Sequence, residues 1–191
     1  MPVEVDRERR QWVVVEAAVD LILEGGLEAV SFRTLARKLG CSTTAISHYF
    51  ADKEAVMRAT YHHAASRAAL RRDQAQSSGR ANPLTALEEI LPLGPLQRDD
   101  WVVWMCFWTS ALFNPALAAE HRKRTHQTRE GIEARLLAVG HSAEQAGPLS
   151  QSVLTTLYGI AVQALFDPER WTAEVQQATL RRALQGLDTV K

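Results

Sequence analysis

Apolar positions recur along the chain at three- and four-residue spacing, and β-branched residues never alternate with polar ones over a useful length. The hydrophobic period is that of helices, and an all-α fold is predicted. Val15, Ala18, Val19 and Ile22 form one stripe that stops at Gly25-Gly26, a helix C-terminal signal, so the first helix is expected from about Asp6 to Glu24. Ser31 is placed to cap a short second helix ending at Leu39-Gly40. Ser42 then caps a third ending near Phe50, and Asp52 a fourth running through Met57 and Tyr61 toward Asp73. Gln76 to Pro83 is polar and closed by proline, which reads as a linker. Beyond it, helices are expected at about 84–93, 98–113, 115–139, 143–166 and 172–187, with breaks at Pro92, Gly94-Pro95, Asn114-Pro115, Gly140 and Asp167-Pro168.

The two short helices joined by Leu39-Gly40-Cys41-Ser42 meet the demands of a helix-turn-helix. Glycine accepts the left-handed conformation, a small residue, Cys41, is expected to plug the turn, and the Ser42 hydroxyl caps the second of the two helices. In the third helix Ile46 and Phe50 point inward at i,i+4 spacing, while Thr43, Thr44, Ser47 and His48 share the other face. Small hydroxyls and an imidazole suit close approach to base edges and thymine methyls in a major groove. A helical hairpin with a polar outer face is the other reading of the same pattern.

Charge sharpens this picture. The 191 residues carry 22 basic and 22 acidic side chains, a zero net charge that argues against nonspecific binding to nucleic acid or membrane. The distribution is uneven: three basic against seven acidic side chains in residues 1–30, then nine against three in residues 31–80. Positive charge therefore gathers where the helix-turn-helix pattern lies, although an ordinary solvated basic face would look the same. With 46% hydrophobic and 23% charged residues the chain is globular, of a size for one large domain or two small ones. Gln145 to Phe166 has no charge, yet its glycine, proline, serines, threonines and glutamines read as too polar for a membrane span. Met1 to Arg10 is charged and does not read as a secretory signal, so a cytoplasmic location and no membrane partner are expected. Cys41 and Cys106 lie far apart, give neither a disulfide framework nor a metal-ligand spacing, and are expected to be reduced and half-buried.

Enzyme chemistry finds little support. His62-His63 are adjacent and His121 and His126 are five apart, so neither pair matches a helical zinc pair. A nucleophile elbow, a phosphate loop and a dinucleotide fingerprint are all missing, and no metal and no cofactor are expected. Arg122-Lys123-Arg124, flanked by Glu120, Glu130 and Glu133, reads as a solvated helix face. The aromatic helix is more suggestive: Trp101, Trp104, Met105, Trp108 and Leu112 fall on one face with Phe107 and Phe113 beside it. It reads either as core packing or as the wall of a small-molecule pocket able to hold an apolar or cationic body. Tyr61, Met57 and Tyr158 would complete such a pocket, and Glu88 and Glu89 would be either counter-charges or solvated. The charge-free penultimate helix, with Leu157, Gly159 and Ile160, and the Leu180 and Leu184 stripe of the last helix read as a subunit interface or as an intrachain core.

The residues Val14 to Ala18, the Gly25-Gly26 stop, Leu35 to Ser42 and Ile46 to Glu54 resemble the TetR family of bacterial one-component transcription regulators over about the first third of the chain. The resemblance implies an N-terminal three-helix DNA-binding domain, residues 1–52, and a helical ligand-binding and dimerisation domain, residues 53–191, with the fourth helix linking the two. It implies a homodimeric repressor that binds a pseudo-palindromic double-stranded DNA operator and is released by a small-molecule effector. Carried over by position, Arg33 reaches a base or phosphate, Thr43, Thr44, Ser47 and His48 make recognition-helix contacts, and Tyr49 and Lys53 contact phosphates. Cys41 stands where valine is commoner. Trp104, Phe107, Trp108 and Asn114-Pro115-Ala116-Leu117 are further similar to the BetI-type, choline-sensing members. Two other readings stay open: a DNA-binding regulator that acts through a protein partner, and a helical small-molecule-binding protein without DNA binding.

Overall fold

The computed structural model describes residues 2–77, 83–185 and 187, with side chains omitted for residues 2–6 and 76. Among these residues eight α-helices and two 3₁₀ turns account for the regular structure: α1 Pro2–Gly25, α2 Phe32–Leu39, α3 Thr43–Ser47, α4 Lys53–Ser77, α5 Pro95–Ala111, α6 Pro115–Ala138, α7 Ala143–Phe166 and α8 Ala173–Leu184, with the turns at Leu27–Ala29 and Thr85–Ile90. The fold is all-α, as the hydrophobic period demands. Of the expected linker Gln76 to Pro83, residues 78–82 lie outside the described residues.

The chain forms two compact units, Met1–Ser66 with Val102–Glu120, and Arg67–Trp101 with His121–Lys191. In the first unit the inner face of α1, including Val14, Ala18, Val19 and Ile22, is buried together with Val30, Leu35, Ile46 and Phe50. In the second, α7 and α8 pack side by side, burying Val153, Leu154, Leu157, Ile160, Leu180 and Leu184. Arg98 donates to the carbonyls of Ala164 and Leu165 at 3.2 and 2.9 Å, which satisfies the open C-terminal end of α7. By length and mean hydropathy α7 is apolar enough to cross a membrane, which the polar reading of its sequence did not anticipate. Its buried positions recur along its length, as in a core helix.

Several boundaries differ from expectation for local reasons. Residues 84–93 read as an α-helix, but only a six-residue 3₁₀ turn forms, closed by Pro92 and Gly94. The next helix starts at Pro95 rather than 98, since proline presets the first helical φ and the Arg98 amide already bonds the Gly94 carbonyl at 2.9 Å. The third helix ends at Ser47, and the chain reaches Phe50 through turn hydrogen bonds onto Thr44 and Ile46.

Candidate functional site

Three local devices build the helix-turn-helix. Ser31 and Thr34 form a capping box, Ser31 Oγ accepting from the Thr34 amide at 3.1 Å and Thr34 Oγ1 accepting from the Ser31 amide at 2.9 Å. Gly40, at φ +65°, ends α2 in the left-handed conformation, and the Cys41 amide then bonds the Ala36 carbonyl at 2.9 Å. Ser42 Oγ accepts from the Ala45 amide at 3.2 Å and opens α3. Ile46 and Phe50 are thereby held in the core, while Thr43, Thr44, Ser47 and His48 are all exposed, as is Arg33 on α2. The four α3 side chains thus share a water-facing surface whose hydroxyls and imidazole can donate or accept. Tyr49 is half-buried with its ring edge-on to His48 at 5.0 Å. Cys41 corrects an expectation: it is exposed rather than buried in the turn, because the Ala36 and Arg37 carbonyls that close the turn meet backbone amides and leave the side chain outside.

The start of α4 is tied down twice. Lys53 Nζ donates to the Leu27 carbonyl at 2.8 Å, so the ammonium expected on a phosphate rests on the 3₁₀ turn here. Glu54 Oε1 accepts from Asn114 Nδ2 at 2.7 Å, and the same Asn114 caps α6 by accepting the Ala116 and Leu117 amides at 3.0 and 3.2 Å. Farther along α4, His63 is buried with Trp12 edge-on at 4.2 Å and Glu16 Oε1 3.1 Å from its Nε2, which joins α4 to α1. Tyr61 and Phe107 stack at 4.1 Å with 16° between their planes, both buried, and Met57 and Trp104 are buried in the same unit, with Trp108 half-buried.

The aromatic stripe does not run on as one buried face. Leu112 and Phe113 are 78% and 88% exposed because α5 ends at Ala111. Trp101 belongs to the second unit, where its Nε1 donates to the Ile90 carbonyl and Tyr158 sits edge-on at 5.7 Å. The expected ligand residues therefore divide: Tyr61, Trp104, Phe107 and Trp108 fall in the first unit and Tyr158 in the second. Burial pushes the Tyr158 phenol up, against the opposing effect of the Thr125 hydroxyl and the nearby Arg72 charge. Glu88 is not solvated: it is buried, bonded to Arg181 at 2.7 and 3.1 Å and to Gln177 at 2.8 Å. Asp100, unmarked in the sequence reading, is completely buried and shared between Arg67 and Arg71.

The helices expected to meet a partner turn differently from their sequence reading. Leu157, Ile160, Leu180 and Leu184 are buried within one chain, where α7 and α8 cover each other, whereas Gly159 is exposed with nothing within 4 Å of where a Cβ would stand. Ser152, Thr155, Gly159, Gln163 and Phe166 form the outer face of α7, uncharged and exposed. Among the described residues no cluster of three or more metal-ligating side chains occurs.

Residues 14–60 match the family model of bacterial regulatory proteins, tetR family, and residues 79–189 that of the BetI-type transcriptional repressor, C-terminal. The HTH-type transcriptional regulator BetI of Paraburkholderia phymatum is 26% identical over 125 residues, 61% of this chain. The match spans 62% of that relative's length, somewhat less than two thirds. Among solved structures, a transcriptional regulator from Rhodococcus sp. Rha1 is 27% identical with a TM-score of 0.83, over 95% of this chain and 99% of that one. A Saccharomonospora viridis protein solved in complex with choline shares the fold at 21% identity and a TM-score of 0.80, over 94% of this chain and 97% of its own.

Proposed function

Because the chain belongs to the TetR family of bacterial transcriptional regulators, with a BetI-type C-terminal part, we propose that it is a cytoplasmic repressor that binds an operator as a homodimer and leaves it on binding a small molecule. The family is one of transcriptional regulators and not of enzymes. In this reading residues 1–52 bind DNA, residues 53–191 bind the effector and dimerise, and α4 links the two functions. The observation that carries it is the exposed polar face of Thr43, Thr44, Ser47 and His48 over a buried Ile46 and Phe50, with Arg33 exposed beside it. These four read base edges, Arg33 a base or phosphate, and Tyr49 and Lys53 phosphates. Lys53 exchanges the Leu27 carbonyl for a phosphate oxygen, a charge-assisted bond, when DNA arrives.

The partner subunit is met by the outer face of α7, Ser152, Thr155, Gly159, Gln163 and Phe166, with Val175 and Ala178 of α8, all exposed. Leu157, Ile160, Leu180 and Leu184 back that face from inside. Two recognition helices related by a two-fold axis then read half-sites one turn of DNA, or a multiple, apart. The effector, an apolar or cationic small molecule, meets the rings of Tyr61, Trp104, Phe107 and Trp108, whose faces attract a cation. Choline, bound by the Saccharomonospora viridis protein, is the first to try. Release requires preference for the non-binding conformation, about 5.5 kcal/mol for a swing from 1:99 to 99:1. The experiment selects an operator from random DNA, then measures its affinity with and without choline and other quaternary amines. Sequence-specific binding by wild type, abolished in the triple variant of Arg33, Thr44 and His48 to alanine, is expected; selection that enriches no sequence refutes the proposal.

A further inference from the structure

Asn114 uses both ends of its amide. Its Oδ1 accepts from the Ala116 and Leu117 amides at 3.0 and 3.2 Å and so caps α6, while its Nδ2 donates to Glu54 Oε1 at 2.7 Å. The side chain cannot turn toward one partner without leaving the other. Aspartate would keep the cap but has no donor for a carboxylate, and serine, which also caps, is one atom shorter. Glu54 is the chain neighbour of Lys53, and the two side chains leave the first turn of α4 for different partners. Lys53 Nζ donates to the Leu27 carbonyl at 2.8 Å, on the 3₁₀ turn Leu27–Ala29 that leads into α2. At the end of that turn the Ala29 carbonyl accepts from Thr34 Oγ1 at 2.7 Å, and Thr34 belongs to the capping box of α2. A row of hydrogen bonds thus runs from the cap of α6, through one turn of α4, to the first helix of the helix-turn-helix, all within the first unit. Asp52 Oδ1 fixes the same turn of α4 by accepting from the Ala55 amide at 2.7 Å. Two turns farther along α4, His62 Nε2 lies 3.1 Å from Glu120 Oε1, so the first turns of α6 run beside this half of α4.

We infer that Asn114 and Glu54 are positioning residues for DNA binding: their hydrogen bond sets where the first turn of α4 stands against α6, and thereby holds Lys53 and the helix-turn-helix in the placement an operator requires. Neither side chain has to meet DNA for this. Glu54 Oε2 also lies 3.5 Å from Arg58 Nη1, an i,i+4 pair exposed enough for water and salt to screen. The bond from Asn114 is of another kind, because its donor is a half-buried amide already fixed by the cap and its acceptor is charged. This positioning rests on the operator-binding proposal above and adds to it residues that act without touching the operator. Two half-sites at a fixed spacing tolerate little rocking of the helices that read them, so a loosened joint costs specific binding before it costs attraction to phosphates.

The test compares the full chain with its variants Asn114→Asp, Glu54→Ala and the double variant Asn114→Asp/Glu54→Gln. Each is titrated against an operator selected with wild type, the same operator with one base pair added between its half-sites, and unrelated DNA of equal length. Asn114→Asp keeps the cap and sets two carboxylates against each other. The double variant exchanges donor and acceptor at unchanged net charge, glutamine donating to an aspartate that still caps. The single variants change charge near DNA in opposite directions, so the readout is the ratio of operator affinity to unrelated-DNA affinity, in which a general charge effect cancels. Both single variants should lower that ratio about tenfold, the worth of one hydrogen bond to a charged group, and should discriminate less against the lengthened operator. The double variant should return both measures to within about threefold of wild type. Circular dichroism checks folding; should Asn114→Asp not fold, Glu54→Ala and the double variant carry the comparison. The positioning role is overturned by a folded single variant that keeps the wild-type ratio, or by a double variant that stays as low as the single ones, which would leave Asn114 a helix cap and nothing more. A wild type that selects no operator overturns the operator-binding proposal, and this role with it.

Discussion

Replacing Asp100 with asparagine should destabilise the protein far more than replacing Glu88 with glutamine, although both acids are buried and both pair with arginine. Asp100 is 0% exposed, and the side chains of its partners Arg67 and Arg71 are 28% and 20% exposed. Arg67 Nε lies 2.9 Å from Oδ1 and Arg71 Nη2 2.7 Å from Oδ2. Asparagine keeps the shape, removes the charge, and turns an amide donor toward a guanidinium that can only donate. Breaking a fully buried pair from one side costs about 3–5 kcal/mol, and the partial exposure of both arginines places this case near ~3. The Arg181 partner of Glu88 is 63% exposed, so water screens it, and Glu88→Gln should cost only about 1 kcal/mol or less.

Far-UV circular dichroism during urea and thermal unfolding measures both. At about 2–4 °C per kcal/mol for a chain of this size, Asp100→Asn should lower the Tm by roughly 6–12 °C and Glu88→Gln by no more than about 4 °C. Added salt separates them further, since screening acts on the exposed pair and not on the buried one. Equal losses in the two variants, or an Asp100→Asn within about 0.5 kcal/mol of wild type, would falsify the burial argument.

Other substitutions test other parts of the structure. His48→Ala and Thr44→Ala should relax sequence preference at one or two positions of a selected operator, by roughly 1–3 kcal/mol for each good base interaction removed, whereas Lys53→Ala should weaken all sequences alike and lower the salt slope by about one; competition binding across salt concentrations reads both. Gly159→Glu should yield a folded monomer by sedimentation, because the position is exposed and open, while Leu184→Glu should fail to fold, because Leu184 is 4% exposed within one chain. A Leu184→Glu that folds while Gly159→Glu does not would show the faces of α7 and α8 to be assigned the wrong way round. Burial, and then the Arg122 charge, lower the pKa of half-buried His121 below its ordinary 6.5. The unfolded chain therefore binds a proton there first, and stability at this site falls as pH drops from about 6.5 toward the lowered value. His121→Gln should flatten that decline in unfolding curves between neutral and mildly acid pH, and an unchanged slope would remove His121 from the account.

The features legible in the sequence are those whose causes are local. Ser31 with Thr34, Gly40, Ser42 and Asp52 each act within a turn of their own position, so the caps and the exposed face of α3 could be read directly. Features that depend on what lies across the fold were harder. Along α7, charge is absent on every side, so no pattern separates Leu157 and Ile160, which face inward, from Gly159 and Gln163, which do not. Asp100 did carry a signal: it stands in phase with Trp104, Phe107 and Ala111, all buried, which marks a carboxylate on an apolar face in need of cations. Its partners Arg67 and Arg71, four residues apart on another helix, complete that signal only once the helices are packed together.

The same distinction bears on ligand chemistry. Much of the local geometry is carried by residues that make turns and caps: Gly40 at its left-handed φ, Ser42 on the Ala45 amide, and Asn114, which caps α6 and bonds Glu54. Such residues specify backbone geometry, and a chain can keep all of them while changing every side chain that meets a ligand. Fold likeness at 21% identity therefore says little about the sign of the charge a pocket prefers. That sign is set by the charged side chains around a pocket, which the residues of turns and caps leave free to change.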